Sequence, residues 1–350
     1  MARQIYNLAT GSSSLQGACV ADIPTPEISD NEVLVKVRAV AINPIDFKSV
    51  DVIAPNKSVI GCDYAGEVVL VGKKAEKRWS VGNRVAGFVH GGQYSDIGSF
   101  AEYLKVDGEL AWKIPPTLSD SEAATYGVAA VTAVLALAKL AVPLEDVLEG
   151  KAQSVESKKS TILIYSGGSN VGLFAIQAAK RAGLQVVATA SPQSFGLVKS
   201  YGADSVYDYH SQTAISEIRE AYPNTEKALD CFSGGKSSEF CTQVMQKGRV
   251  INLLDQGKSP KPNVEYKTIL VFTAFGRPFS WLAPLGPQFP VEPNDPKLLR
   301  DLYAHLGVLC EHSLRPPPIT AMQGGFNGIL EALNRIRQGE VRGTKLVVSF

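Results

Sequence analysis

From residue 160 onward, apolar runs alternate with segments of helical period. The runs lie at Ile162–Tyr165, Val186–Ala190, Ser205–Tyr209, Ala228–Phe232 and Arg249–Leu254; the helical segments lie at Leu173–Ala182, Phe195–Tyr201, Ala214–Ala221 and Ser237–Met245. Alternation of this kind predicts an α/β domain with a doubly wound parallel sheet and helices on both faces. Residues 1–110 read differently. Short alternating runs at Ala18–Asp22, Glu32–Ala41, Gly66–Val71, Arg84–Phe88 and Phe100–Val106, divided by Gly, Pro and Asp turns, predict a compact barrel-like β domain.

Between the two, Ser119-x-x-Glu122 is a capping box that opens a helix, and the apolar segment Gly127–Val142 follows it. Residues 143–159 are polar and aperiodic and read as a surface loop. Beyond the alternating region come a further run, Thr268–Phe275, and a loop, Gly276–Asp295, too rich in aromatics to be pure linker. A helix (Pro296–Cys310), a Pro-rich turn (Pro316–Pro318), another helix (Phe326–Gln338) and a last strand (Lys345–Phe350) close the chain. The expected division is a β-rich domain of residues 1–125 and 310–350 and a nucleotide-binding domain of 126–309. A ligand cleft between the two lobes is the expected consequence.

The segment Ile162–Ser191 carries the most chemistry. Gly167, Gly168 and Gly172 sit where strand passes to helix, so the backbone can turn sharply and approach a ligand while the helix N-terminus favours an anion. A dinucleotide pyrophosphate fits, although Ser166 and Ser169 break the regular glycine spacing. About 20 residues on, where an NAD site places Asp or Glu, stands Ser191, with Ser194 and Lys199 beyond. Two hydroxyls and a cation suit a 2′-phosphate, which indicates NADPH; an ordinary βα turn with surface Ser and Lys is the alternative.

Composition narrows the partners. Basic and acidic residues nearly cancel, 35 against 34, with no basic block, which argues against nucleic acid. The longest uncharged apolar stretch, Ala123–Ala138, has 16 residues, short of a membrane span, and reads as a buried helix. The start of the chain has no apolar signal core, and the five cysteines are scattered without a CxxC pair, which leads us to expect reduced thiols and a cytoplasmic location.

Six separated motifs then appear in order: NPIDFK (Asn43–Lys48), IGCDYAGEVVLVG (Ile60–Gly72), VGNRVAG (Val81–Gly87), GSFAEYLKVD (Gly98–Asp107), the central glycine segment and GEVRGTKLVV (Gly339–Val348). Together they resemble the medium-chain dehydrogenase/reductase superfamily over essentially the whole chain, which implies a GroES-like domain and a Rossmann domain. The zinc alcohol dehydrogenases of that superfamily carry a Cys near the first motif, a Gly-His-Glu near Gly61 and a four-Cys lobe. Here the first has no Cys, the second is Gly61-Cys62-Asp63, and the loop His90–Gly98 is cysteine-free. Cys62 alone cannot assemble a three-ligand zinc site, so no metal is expected and Cys62 reads as a packed thiol. The resemblance thus moves to the zinc-independent reductases of activated C=C bonds. YSGGSNVG, ATASPQSFGLVKSYGAD, VYDY, ALDC, TAFGRPFSW and QGGF resemble fungal trans-acting enoyl reductases of polyketide biosynthesis.

That resemblance implies an NADPH-dependent enoyl reductase acting on a polyketide enoyl thioester held on the acyl-carrier domain of a synthase. A stand-alone quinone or enone reductase and a non-catalytic NADPH-binding protein remain alternatives. Its position-by-position carry-over makes Lys48 and Asp46 the catalytic candidates. It gives the cofactor Ile45, Asp46, Phe47 and Lys48; Asn170, Val171, Gly172 and Leu173; Ser191, Ser194, Lys199 and Tyr209; Leu253 and Leu254; and Thr344 and Lys345. It gives the acyl chain Val134, Leu135, Leu137, Ala138 and Ala141 with Phe275, Gly276, Arg277 and Phe279, the first group reading equally well as core. Arg277 could meet a phosphopantetheine phosphate or simply form a salt bridge. Tyr64 and Tyr94 are possible proton donors, with core or surface packing as the alternative for each.

Overall fold

The computed structural model describes residues 2–7, 17–55, 57–148, 160–282 and 284–350. They form two units, Met1–Val128 with Phe272–Glu311 and Pro318–Phe350, and Ala129–Val271 with His312–Pro317. Most of the surface loop expected at 143–159 lies outside the described residues.

The first unit is built on strand Glu32–Ala41, whose valines are buried along most of its length. One end pairs with Tyr103–Asp107, the other with Lys345–Ser349, and Asp63–Val71 runs beside the whole of it. Arg84–Phe88, Ala111–Lys113 and Ile319–Met322 extend the sheet to seven strands. A register shift between Val37 and Ala39 bends the central strand. Around it pack Val33, Val35, Val40, Tyr64, Trp79, Phe100, Leu104 and Leu346, with Ile329 and Leu333 of helix Phe326–Arg337. Ala2–Asn7 and Ala18–Ile23 form a separate antiparallel pair.

Residues 272–309 belong to this unit and not to the nucleotide-binding domain where the sequence placed them. The reason is aromatic. The Phe275 ring lies 4.6 Å from that of Phe88, and Phe272 stacks on His90 at 3.7 Å. The loop expected at Gly276–Asp295 contains a small hairpin, Phe279–Ser280 with Gln288–Phe289, whose Phe279, Trp281 and Phe289 rings pack on one another.

The second unit is a six-stranded parallel sheet in the order Ser205–Asp208, Gln185–Ala190, Thr161–Tyr165, Lys227–Asp230, Gly248–Asn252, Val264–Thr268. The first strand in sequence is central, and the connections reverse between it and Lys227–Asp230. That is the switch point of a doubly wound sheet, where ligands bind beyond the strand ends. Leu163, Val187, Ala228 and Val250 face Ala214, Ile218, Phe240 and Val244 of helices Ala214–Ala221 and Ser237–Val244.

Residues 120–139 are the helical stretch of the described residues long and apolar enough to cross a membrane by composition alone. It is broken at Gly127, and its Val128–Lys139 part is buried from Ala129 to Leu137. It is a core helix.

Candidate active site

In the first unit the site begins with a proline. Pro44 opens the five-residue helix Pro44–Lys48, and Asp46 Oδ2 reaches back to accept from the Asn43 backbone N–H at 2.7 Å, half of a capping box. A π-helical turn, Ser49–Ile53, follows. The Asn43 side chain is thereby free to turn inward. Its Nδ2 donates to Asp63 Oδ2 at 2.9 Å and its Oδ1 accepts from Lys345 Nζ, which also pairs with Asp63 Oδ2 at 3.1 Å. Asp63 Oδ1 accepts from the backbone N–H of Val128 at 2.7 Å. A Cβ on Gly127 would stand 2.3 Å from that oxygen, so only glycine lets the carboxylate reach the start of the helix.

The knot is sealed: Lys345, Asp63 and Asn43 are 1%, 0% and 3% exposed. The Lys345 ammonium is therefore committed to Asn43 and Asp63 and does not face a cofactor phosphate. Thr344 likewise has its hydroxyl engaged, with Thr320 and with the Pro318 carbonyl.

Asp46 is as deeply buried, and its Oδ1 has no hydrogen-bond partner among the described residues. Loss of solvation, above all, pushes its carboxyl up to about 7; the nearby Asp63 charge adds to this, against the Asn43 hydrogen bond and the charge of Lys345. Cys62 lies beside Asp46, and burial holds its thiol well above its usual range. That is the packed thiol expected there. Two residues on, Lys48 is half-buried, and burial lowers its pKa. Among the described residues it has neither an ion-pair nor a hydrogen-bond partner, in contrast to Lys345. Ile45 and Phe47 are also half-buried, Phe47 beneath the Arg337 guanidinium at 5.8 Å.

Tyr64 is fully buried, its hydroxyl has no partner among the described residues, and burial drives its pKa far above normal. It packs in the core. Tyr94, 36% exposed, lines a cavity instead. The inner wall of that cavity is aromatic, with Phe88, His90, Phe272, Phe275 and Phe279; its more exposed side carries Glu32, Lys105, Asp107 and Arg277. Arg277 pairs with Asp107 at 3.4 Å, so it takes up the salt bridge that was one of its two readings. Three of the residues expected to touch the acyl chain, Phe275, Arg277 and Phe279, thus line one space. Phe88, His90 and Phe272, which complete it, had no signal beyond being apolar or aromatic near a turn.

In the second unit, Ser166 leaves the first strand with φ +61°, and Gly167 N–H donates to the Thr189 carbonyl at 2.8 Å. Ser169 caps helix Asn170–Arg181, its Oγ accepting from Gly172 N–H at 3.1 Å. A Cβ on Gly172 would lie 2.6 Å from the Ser166 carbonyl oxygen. The turn is thus closed on itself, with half-buried Asn170 and Val171 at its outer edge and Leu173 in the core.

After the next strand, the Ser191 and Ser194 hydroxyls stand 3.4 Å apart, and Lys199 is exposed on helix Phe195–Ser200. Tyr209 lies between the Tyr165 ring, at 5.8 Å, and that of His210. Leu253, whose N–H donates to Ser233 Oγ, and exposed Leu254 follow the fifth strand. The Asp230 carboxylate, missed in the sequence, organises the neighbouring turn by accepting from Phe232 N–H, Ser233 N–H and the Ser237 and Ser238 hydroxyls.

Of the helix residues expected to line the acyl pocket, Val134, Leu135 and Leu137 are buried. Ala138 is half-buried, and Ala141 is exposed with φ +54°. Among the described residues no group of three or more His, Cys, Asp or Glu side chains is placed to hold a metal ion.

Residues 29–116 match the alcohol dehydrogenase GroES-like domain, and residues 170–270 the family described as zinc-binding dehydrogenase. A trans-enoyl reductase of Aspergillus niger is 34% identical over 338 residues, which cover 93% of this chain and 92% of that protein. The chain belongs to the trans-enoyl reductase family. Its fold is that of the medium-chain dehydrogenases/reductases: the CurK enoyl reductase superposes with a TM-score of 0.74 at 21% identity, covering 99% of both chains. A mycobacterial protein solved in complex with NADPH superposes with a TM-score of 0.72 at 20% identity, covering all of both.

Proposed function

We propose that this protein is a trans-acting enoyl reductase that uses NADPH to reduce the α,β C=C of a polyketide enoyl thioester presented on an acyl-carrier domain. The observation that carries the reading is Lys48, a half-buried cation that has no counter-charge among the described residues, on a helix whose other charge, Asp46, is buried. An ammonium held this way is available to an external negative charge.

The nucleotide-binding unit fits the cofactor on its own residues. The turn leaves no room for a side chain at Gly172, and the Ser191 and Ser194 hydroxyls, 3.4 Å apart, are donors suited to a 2′-phosphate, with the Lys199 cation on the helix that follows them. When bound, NADPH supplies the hydride that the β-carbon receives. The chain's own residues handle charge and position. Negative charge grows on the thioester oxygen as the C=C is reduced, and Lys48 offers the cation that stabilises it. Asp46 and the Asn43–Asp63–Lys345 knot hold the Lys48 helix in place. Tyr64, sealed in the core, does not supply the proton for the α-carbon, which leaves solvent and Tyr94 as its sources.

The test is NADPH oxidation by purified protein with crotonyl-pantetheine and with a free quinone, each repeated with Lys48→Ala. Thioester turnover that falls in the variant supports the reading. Turnover of quinone alone replaces it with a small-molecule quinone reductase, and NADPH binding with neither activity leaves a non-catalytic NADPH-binding protein.

A further inference from the structure

The aromatic cavity of the first unit carries the His90 imidazole among its apolar rings, with the Tyr94 phenol edge-on to it at 6.3 Å. The His90 ring is sandwiched, stacked on Phe272 at 3.7 Å and 10° and meeting Phe279 edge-on at 4.9 Å and 85°. It is 7% exposed, and neither ring nitrogen makes a hydrogen bond among the described residues. Burial lowers its pKa to about 3, so the imidazole is neutral, with one nitrogen a donor and the other an acceptor. A stacked, neutral imidazole cannot turn to find a partner elsewhere without losing both ring contacts. Filling the cavity with a purely apolar group would leave its nitrogens unsatisfied and drier still, which is unfavourable.

The space is small. Its volume is about 60 Å³, and it is not closed off from solvent. The charged residues Glu32, Lys105, Asp107 and Arg277 lie on its more exposed side, so a ligand that fills it would place its apolar part among Phe88, Phe272, Phe275 and Phe279.

We propose that this cavity is a subsite for the acyl chain, and that His90 is its specificity-determining residue, selecting chains that carry a hydroxyl there over unsubstituted ones. A hydroxyl both donates and accepts, so it matches a neutral imidazole, whereas a methylene satisfies neither nitrogen. The proposal rests on the enoyl-thioester reading above and adds which thioesters are preferred. One neutral hydrogen bond in such a site corresponds to about tenfold discrimination.

The experiment compares matched pairs of 2-enoyl-pantetheine thioesters of six to ten carbons, without a hydroxyl and with one at successive positions along the chain. kcat/KM is measured for wild-type protein, His90→Phe and His90→Gln, and direct binding of the same compounds is read by saturation-transfer NMR without NADPH. The expected result is a hydroxyl preference of about tenfold at one chain length, carried by KM, abolished in His90→Phe and partly restored in His90→Gln. Equal preference in wild type and His90→Phe, or none at any chain length, overturns it. Reduction of crotonyl-pantetheine by wild type together with no hydroxyl preference would sink this inference and leave the enzyme reading standing. If no thioester is reduced, hydroxyl-selective binding that depends on His90 would still support the subsite, and unselective binding or no binding would overturn it.

Discussion

Replacing Lys345 with Met keeps the length and apolar stem of the side chain but removes the cation from a fully enclosed site. Asp63 would then keep two donors, Asn43 Nδ2 at 2.9 Å and Val128 N–H at 2.7 Å, and lose its counter-charge, while Asn43 Oδ1 would lose its donor. Breaking a buried ion pair by removing one partner costs about 3–5 kcal/mol. The two remaining donors to Asp63 place the expected loss near the lower end, about 3 kcal/mol, or a fall in Tm of roughly 6–12 °C for a unit of this size. Tryptophan fluorescence reports on the right unit, because Trp79, Trp112 and Trp281 all belong to the first. Urea titration of the variant should show its midpoint moved accordingly, and the double variant Asp63→Asn with Lys345→Met should recover much of the loss, since no charge is then left unpaired. A single variant within 1 kcal/mol of wild type would show that the buried pair is not what holds strands Asp63–Val71 and Lys345–Ser349 to Asn43.

Three further outcomes follow from the same geometry. The Asp46 carboxyl is held up to about 7 in the fold but titrates near 3.8 when unfolded, so the folded state binds the extra proton and stability declines as pH rises from about 4 to about 7. Asp46→Asn should abolish that decline while its Oδ1 still accepts from Asn43 N–H; a variant-minus-wild-type difference in urea midpoint that is the same at pH 5 and pH 8 would contradict this. Gly172→Ala places a methyl 2.6 Å from the Ser166 oxygen, so the turn must open; NADPH affinity in a fluorescence titration should fall by about tenfold or more, about 1.4 kcal/mol, and unchanged affinity would show that the turn does not form the site. Ser191→Asp puts a carboxylate where a 2′-phosphate is expected, so the kcat/KM ratio of NADPH to NADH should drop sharply; an unaltered ratio would remove Ser191 from the cofactor site.

The parallel sheet was legible because its signal is local: each apolar run is bounded by its own turn, and the glycine-to-serine region from Gly167 to Ser194 lies within one βαβ unit. Boundaries moved by only a few residues, as for Leu173–Ala182, which begins at Asn170 because Ser169 caps it. Strand Ala111–Lys113 is too short to show a period, and Ile319–Met322 follows three prolines that mask it. The site was less legible for a different reason. Lys345 and Asp63 are 282 positions apart, and nothing in either segment announces that one neutralises the other. Similarly, Phe272 and Phe275 read as continuing the alternating region, yet the rings they meet are those of Phe88 and His90. The Asn43–Asp46 cap lies within one turn, but the partners of the Asn43 side chain, Asp63 and Lys345, are remote in sequence.

In an enoyl reductase, hydride reaches the β-carbon of a conjugated thioester. This transfer is tested most directly by incubating the protein with an enoyl-pantetheine thioester and NADPH deuterated at C4, each face in turn, and locating the label in the product by NMR. A saturated thioester carrying one deuterium on the β-carbon is expected from one labelled face and none from the other. Deuterium on the carbonyl carbon of an alcohol or aldehyde, or consumption of NADPH without label in the thioester, would contradict it.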